Sequence, residues 1–110
     1  MSRLLTTARL LVLPLAAGFV ATACQPTLYT ETGIVTTVTS ASLVEVDSFT
    51  LRTNDGRTLT FSTKDLPIRD GGFPAQHLRE HQALAQPVQV TYRVTDGRND
   101  VVKLLDAPAR

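Results

Sequence analysis

Cysteine is almost missing from this 110-residue chain: Cys24 is the single one, so no intramolecular disulfide can form and no CxxC pair is available for redox or metal chemistry. Histidine is nearly as scarce. His77 and His81 are the only two, and both fall in one short stretch, which leaves no distant histidine to complete a nucleophilic triad. There is no glycine-rich phosphate loop and no nucleophile elbow. Long apolar runs are lacking as well. The one from Leu10 to Ala23 would rise only about 21 Å as a helix, against the roughly 30 Å of hydrocarbon that a spanning helix must cross. Nor is charge of one sign bunched anywhere, which removes the electrostatic footprint expected of a protein that binds a phosphate backbone or an anionic membrane face.

What is present begins with the amino terminus. Arg3 and Arg9 precede the apolar run, no acidic residue occurs before Glu31, and the small residues Ala21, Thr22 and Ala23 stand immediately before Cys24. This is the grammar of an export signal. It resembles bacterial lipoprotein precursors, whose lipobox ends in a small residue followed by the cysteine that becomes the new amino terminus. The commonest lipobox has Leu three residues before the cysteine, where this chain has Ala21. The resemblance implies cleavage between Ala23 and Cys24, a diacylglyceryl thioether on the Cys24 sulfur, acylation of the freed amine, and a location on the extracytoplasmic face of a bacterial membrane. Two or three acyl chains anchor stably where one does not. An ordinary cleaved signal peptide and an uncleaved signal anchor are the alternatives. Removing residues 1–23 takes Arg3 and Arg9 away, leaving nine basic against ten acidic side chains and a formal charge of −1. The mild basicity of the precursor therefore belongs to targeting.

Residues 24–32 read as a tether, with Pro26 and polar residues lacking a clear period; extended, its eight residues after Cys24 reach about 25 Å. Leu28 and Tyr29 packing on the domain edge as a short extra strand is the other reading. From Gly33 the pattern is that of strands. Ile34, Thr36 and Val38 alternate with Val35, Thr37 and Thr39, and "SLVEVDSFTLRT" changes parity near Asp47 and Ser48, at a turn or a bulge. Asp55-Gly56 predicts a hairpin, and "RTLTFST" follows with Leu59 and Phe61 on one face. Pro74 suits the first position of a helix that Pro87 stops, so a helix is expected from about Pro74 to Ala85. "VQVTYRVT" puts Val88, Val90, Tyr92 and Val94 on one face, "DGRN" turns, and "DVVKLLDA" forms the last strand. The aspartates Asp47, Asp55, Asp70, Asp96 and Asp100 fall at turns, where bonds to nearby backbone account for them.

The expected order, β-β-β-α-β-β, resembles the OB fold over residues 33–106, with residues 107–110 as a tail. The fold class expected is thus mainly β: a small five-stranded barrel with one helix, preceded by a signal-peptide helix. An open β-sandwich, or a sheet with one helix packed on it, is the alternative. A closed barrel would leave no exposed strand edges.

Two sets of residues could carry chemistry. His77, Glu80 and His81 in "HLREH" match the H-x-x-E-H pattern of the zinc peptidases called inverzincins, in which two histidines four apart on a helix face hold a metal and the glutamate activates water. That family also uses a downstream carboxylate ligand on another helix and a much larger domain. The competing reading is a helix whose Leu78, His81 and Leu84 or Ala85 face the barrel, with His77 near the same stripe and Arg79 and Glu80 in water. The second set is the outward strand positions: Thr50, Arg52, Thr58 and Thr60, and on a later strand Gln89, Thr91 and Arg93. OB folds bind on such a face, so Thr50, Arg52, Thr58, Thr60 and Arg93 are candidate contacts for a polar ligand or an oligosaccharide. Nucleic acid is not expected as a partner, because Phe49, Phe61 and Tyr92 all fall on the inward parity and leave no stacking platform. The sequence therefore points to a lipid-anchored binding or structural module without catalysis and without a cofactor. Its partners would be the membrane through Cys24 and an envelope protein or a polar ligand. A metal-binding protein or a metal-dependent hydrolase is the alternative.

Overall fold

The first strand does two jobs, and the barrel follows from that. In the computed structural model, which describes residues 26–108, β1 (Tyr29–Thr39) pairs through its first half with β4 (Val88–Thr95) and through its second half with β2 (Ser48–Thr53). The hand-over falls on Gly33, opposite both Val88 and Thr53. A Cβ there would lie 2.1 Å from the Arg52 carbonyl oxygen, so only glycine lets the two backbones come this close. Just beyond it, the β1–β2 register slips between Val35 and Thr37, a bulge of the kind that bends a strand around a small barrel.

β3 (Thr58–Ser62) pairs antiparallel with β2, and β5 (Arg98–Asp106) pairs antiparallel with β4. A short parallel seam, Phe61 opposite Asn99 and Ser62 opposite Asp100, joins β3 to β5 and closes the barrel in the order β1-β2-β3-β5-β4. With α1 (Ala75–Leu84) between β3 and β4, this is the five-stranded OB-like barrel with one helix. The interior is built on Phe49, Leu51, Phe61, Val35, Val88, Val90 and Val101, all fully buried. Phe61 packs at 5.4 Å from Phe49 and edge-on to Tyr92 at 4.9 Å, the offset and edge geometries that aromatic pairs prefer.

The helix closes the barrel through Ala75, Leu78 and His81. Its first turn has no side-chain cap. Instead the β1–β2 loop supplies carbonyls: Val44 accepts from the Ala75 N–H and Leu43 from the Gln76 N–H, filling the need that every helix start creates. Further ties run from Gln82 to the Thr36 carbonyl at 2.8 Å and from Arg79 to the Ser40 hydroxyl at 2.9 Å. Among the described residues no helix is long and apolar enough to cross a membrane.

Several expectations need correction. β1 starts at Tyr29, so Tyr29 to Thr32 belong to the barrel and the segment 24–32 is not all tether; β4 offers a free edge that these residues satisfy. Pro74 has ψ 150° and precedes the helix as its N-cap, because an extended ψ lies outside the helical well. Leu84 is 65 % exposed. Each three-residue step on a helix falls about 60° short of a turn, so a stripe centred on Leu78 loses Leu84 to the flank. Ala85 then leaves the helix in the left-handed region at φ 52°. Val94 is also exposed, since the β4–β5 hairpin runs on past the barrel body to its Asp96-Gly97 turn. Asp100 lies inside β5 and bonds to the Arg98 side chain.

Candidate functional site

At the helix end of the barrel, two separate segments bring three metal-ligand-type side chains together. His77 and His81, one turn apart on α1, project from the same flank. Asp106 is the last residue of β5. The Nε2 atoms of His77 and His81 stand 3.0 and 2.7 Å from Asp106 Oδ1 and 3.3 Å from one another. Among the described residues this is the cluster of histidine and carboxylate atoms with metal-site spacing. It opens into a pocket of about 270 Å³ bordered also by Gln86, Pro87 and Ala107.

Each part of the cluster is held from behind. His81 is 4 % exposed, and its Nδ1 lies 3.0 Å from the Gln86 carbonyl oxygen. A carbonyl can only accept, so Nδ1 carries a hydrogen. Gln86 is fixed in turn by its N–H, which donates to the His81 carbonyl. Asp106 is placed by its register opposite Val88 and by the next N–H, that of Ala107, which donates to the Pro87 carbonyl. Phe73 walls the site, edge-on to the His77 ring at 4.5 Å and stacked over the His81 ring at 5.9 Å. Hydrogen bonding to His77 and then to His81 holds the Asp106 carboxyl below its ordinary range.

Glu80 takes no direct part. Its carboxylate is 59 % exposed and lies 3.9 Å from His77 Nδ1, across the imidazole from the nitrogen that faces Asp106. The reading that left Glu80 in water fits this, whereas the inverzincin pattern would need it to activate water at the metal. The structure puts it behind a histidine, on the side away from the point where the three donors converge. Asp106, absent from the sequence reading, supplies the carboxylate instead.

The outward threonines behave differently. Thr50 and Thr60 face each other across β2 and β3 with their hydroxyls 3.4 Å apart, and Arg52 stands opposite Thr58. Thr58 and Thr60 border a cleft along the β3–β5 seam together with Ser62, Arg98 and Asn99. Arg93 is not with them; it lies on β4 opposite Asp100 and is separated from β2 and β3 by another strand on either side. Asp100 is buried, and the Arg98 guanidinium bonded to it at 2.7 and 3.1 Å holds its carboxyl below the usual range. On the β2–β3 turn, Arg57 bridges Glu31 at 2.7 Å and Asp55 at 2.9 Å, tying that hairpin to β1. Ala23 and Cys24 lie outside the described residues.

No protein-family model, curated protein or solved structure matches the chain.

Proposed function

We propose that this protein is a lipid-anchored module of the bacterial envelope, held on the extracytoplasmic face through Cys24 and working by binding or by structural support rather than by catalysis. The observation that carries the reading is the single cysteine of the chain standing at the end of an export-type segment, after Ala21, Thr22 and Ala23. The start of β1 at Tyr29 sets how short the tether would be. The four residues 25–28 between Cys24 and the strand span at most about 14 Å, so the lipid would hold the barrel against the membrane surface.

The direction of β1 then orients the barrel. Tyr29 pairs with Tyr92 while Gly33 pairs with Val88, so the chain comes into the barrel from the side of the β4–β5 turn. Leu28, Tyr29 and Val94, all about half exposed, sit on that side and suit contact with the headgroup boundary. The His77–His81–Asp106 cluster lies at the other end of the β4–β5 ladder, facing away from the lipid.

The position of Glu80 supports the non-catalytic reading over a hydrolase, because a general base must face the reacting water and this one faces the back of His77. A second reading, binding of a polar ligand such as an oligosaccharide, rests on the cleft formed by Thr58, Thr60, Ser62, Arg98 and Asn99.

The test is the intact mass of the protein purified from its membrane fraction, beside Cys24→Ala. Residues 24–110 carrying two or three acyl chains, with an unprocessed variant, is the expected result. A soluble chain cut elsewhere, or one without lipid, would overturn the reading.

A further inference from the structure

We infer that His77, His81 and Asp106 form a three-ligand site for a divalent first-row transition ion of the zinc class, independently of how the chain is anchored. The inference starts from the direction of lone pairs. The hydrogen of the neutral His81 ring is committed to the Gln86 carbonyl, and the Nδ1 of His77 faces the Glu80 carboxylate at 3.9 Å. His81 therefore has an acceptor bonded behind Nδ1, the outer-shell arrangement that fixes the tautomer of a metal-bound histidine and leaves Nε2 to bind, while Glu80 stands behind His77 beyond hydrogen-bond length. Both Nε2 atoms point at Asp106 Oδ1, which is itself an acceptor. At these separations a proton bridges the atoms in the metal-free protein, and a divalent cation can take its place between the same three atoms.

The spacing fits such an ion. Donors about 2.0–2.1 Å from a tetrahedral ion stand roughly 3.3–3.4 Å from one another. The two nitrogens are 3.3 Å apart, and the nitrogen to oxygen separations of 2.7 and 3.0 Å need only a small retreat of the Asp106 carboxylate, whose side chain is 63 % exposed. Two imidazoles and a carboxylate suit zinc and its first-row neighbours. Magnesium and calcium ask for oxygen throughout, and none of the three donors is a thiolate that would select copper(I). A fourth position would open toward the pocket beside Gln86 and Pro87, so the ion would keep an exchangeable water and join the last turn of α1 to the end of β5.

The experiment is titration of the untagged full-length chain, in detergent and stripped with a chelator, with Co²⁺ alone, followed by displacement with Zn²⁺. One equivalent of Co²⁺ giving the intense visible bands of a tetrahedral site, displaced by one equivalent of Zn²⁺, is expected. His77→Ala and Asp106→Ala both alter exposed or half-exposed side chains, so each should keep the wild-type circular dichroism spectrum while weakening Co²⁺ binding by about 100-fold or more, the upper end of what loss of a mere outer-shell partner does. His81→Ala gives the same loss. Folded wild-type protein that takes up no Co²⁺, or variants that bind it as the wild type does, would reduce the cluster to a hydrogen-bonded clasp and overturn the inference.

Discussion

The two polar regions of this barrel are built from opposite principles. On the β2–β3 face, Thr50, Thr60, Arg52 and Thr58 come from adjacent strands of one hairpin, with the Thr50 and Thr60 hydroxyls facing each other and Arg52 opposite Thr58 in register. At the helix end, His77, His81 and Asp106 come from segments about 25 residues apart in the chain, and each is pinned by a separate backbone or side-chain contact. Neighbours in a hairpin yield a solvated surface, whereas convergence of distant segments on one point yields a site. The difference can be broken or sharpened by substitutions on either side.

The largest effect is expected where the helix is seated. Leu78 is fully buried at the centre of the α1 stripe, so Leu78→Ala should lower stability to urea by about 2–5 kcal/mol. It should weaken Co²⁺ binding as well, since His81 shares that seat; unchanged affinity would show that the site does not depend on helix packing. Next in size, Zn²⁺ at about 100 times its Kd should stabilise the wild type by about 2.7 kcal/mol and leave Asp106→Ala unmoved, as read from urea midpoints with and without the ion.

Acid gives a smaller effect at the barrel seam. The Asp100 carboxyl is held below its ordinary value of 3.8 by Arg98, so the folded state binds fewer protons than the unfolded chain does. Its contribution is fully present above that ordinary value and is lost as pH falls through the lower folded-state value. Asp100→Asn should flatten the fall in stability below about pH 4 without altering metal binding near neutral pH; an unchanged slope would show that other carboxylates control acid unfolding. Smallest of all, Thr50→Ala and Thr60→Ala should each stay within about 0.5 kcal/mol of the wild type. A larger loss in either would mean that the threonine pair supports the barrel.

Much of the fold was legible because alternation is a local signal. Phe49 and Leu51, then Phe61, and then Val88, Val90 and Tyr92 announced their inward faces within single strands, and Asp55-Gly56 and Pro87 marked their own boundaries. The helix carried its two histidines at a spacing that anyone can read from the sequence. Asp106 was not legible, and the reason lies in β5. The tight turn at Asp96-Gly97 sets Thr95 opposite Arg98, a register that, carried on unbroken, would bring Leu105 opposite Val88. A bulge between Thr91 and Tyr92 shifts the register by one, and Asp106 arrives there instead. The same shift lets Val101 and Leu104 both point inward although they are three apart. A single extra residue in a strand thus carried the carboxylate to the histidines, and no periodicity in the sequence announces it. The early start of β1 was legible only as the alternative of a short extra strand at Leu28 and Tyr29, because Tyr29 to Thr32 find their partners on β4, some 60 residues later.

The most direct test of the contrast between the two regions is the amide NMR spectrum of the isotope-labelled full-length chain in detergent, recorded as Zn²⁺ is added. Shifts confined to residues 75–88 and 104–107, saturating at one equivalent while Thr50, Arg52, Thr58 and Thr60 stay still, are what the account predicts. Shifts centred on the β2–β3 face, or a spectrum that Zn²⁺ leaves untouched, would contradict it.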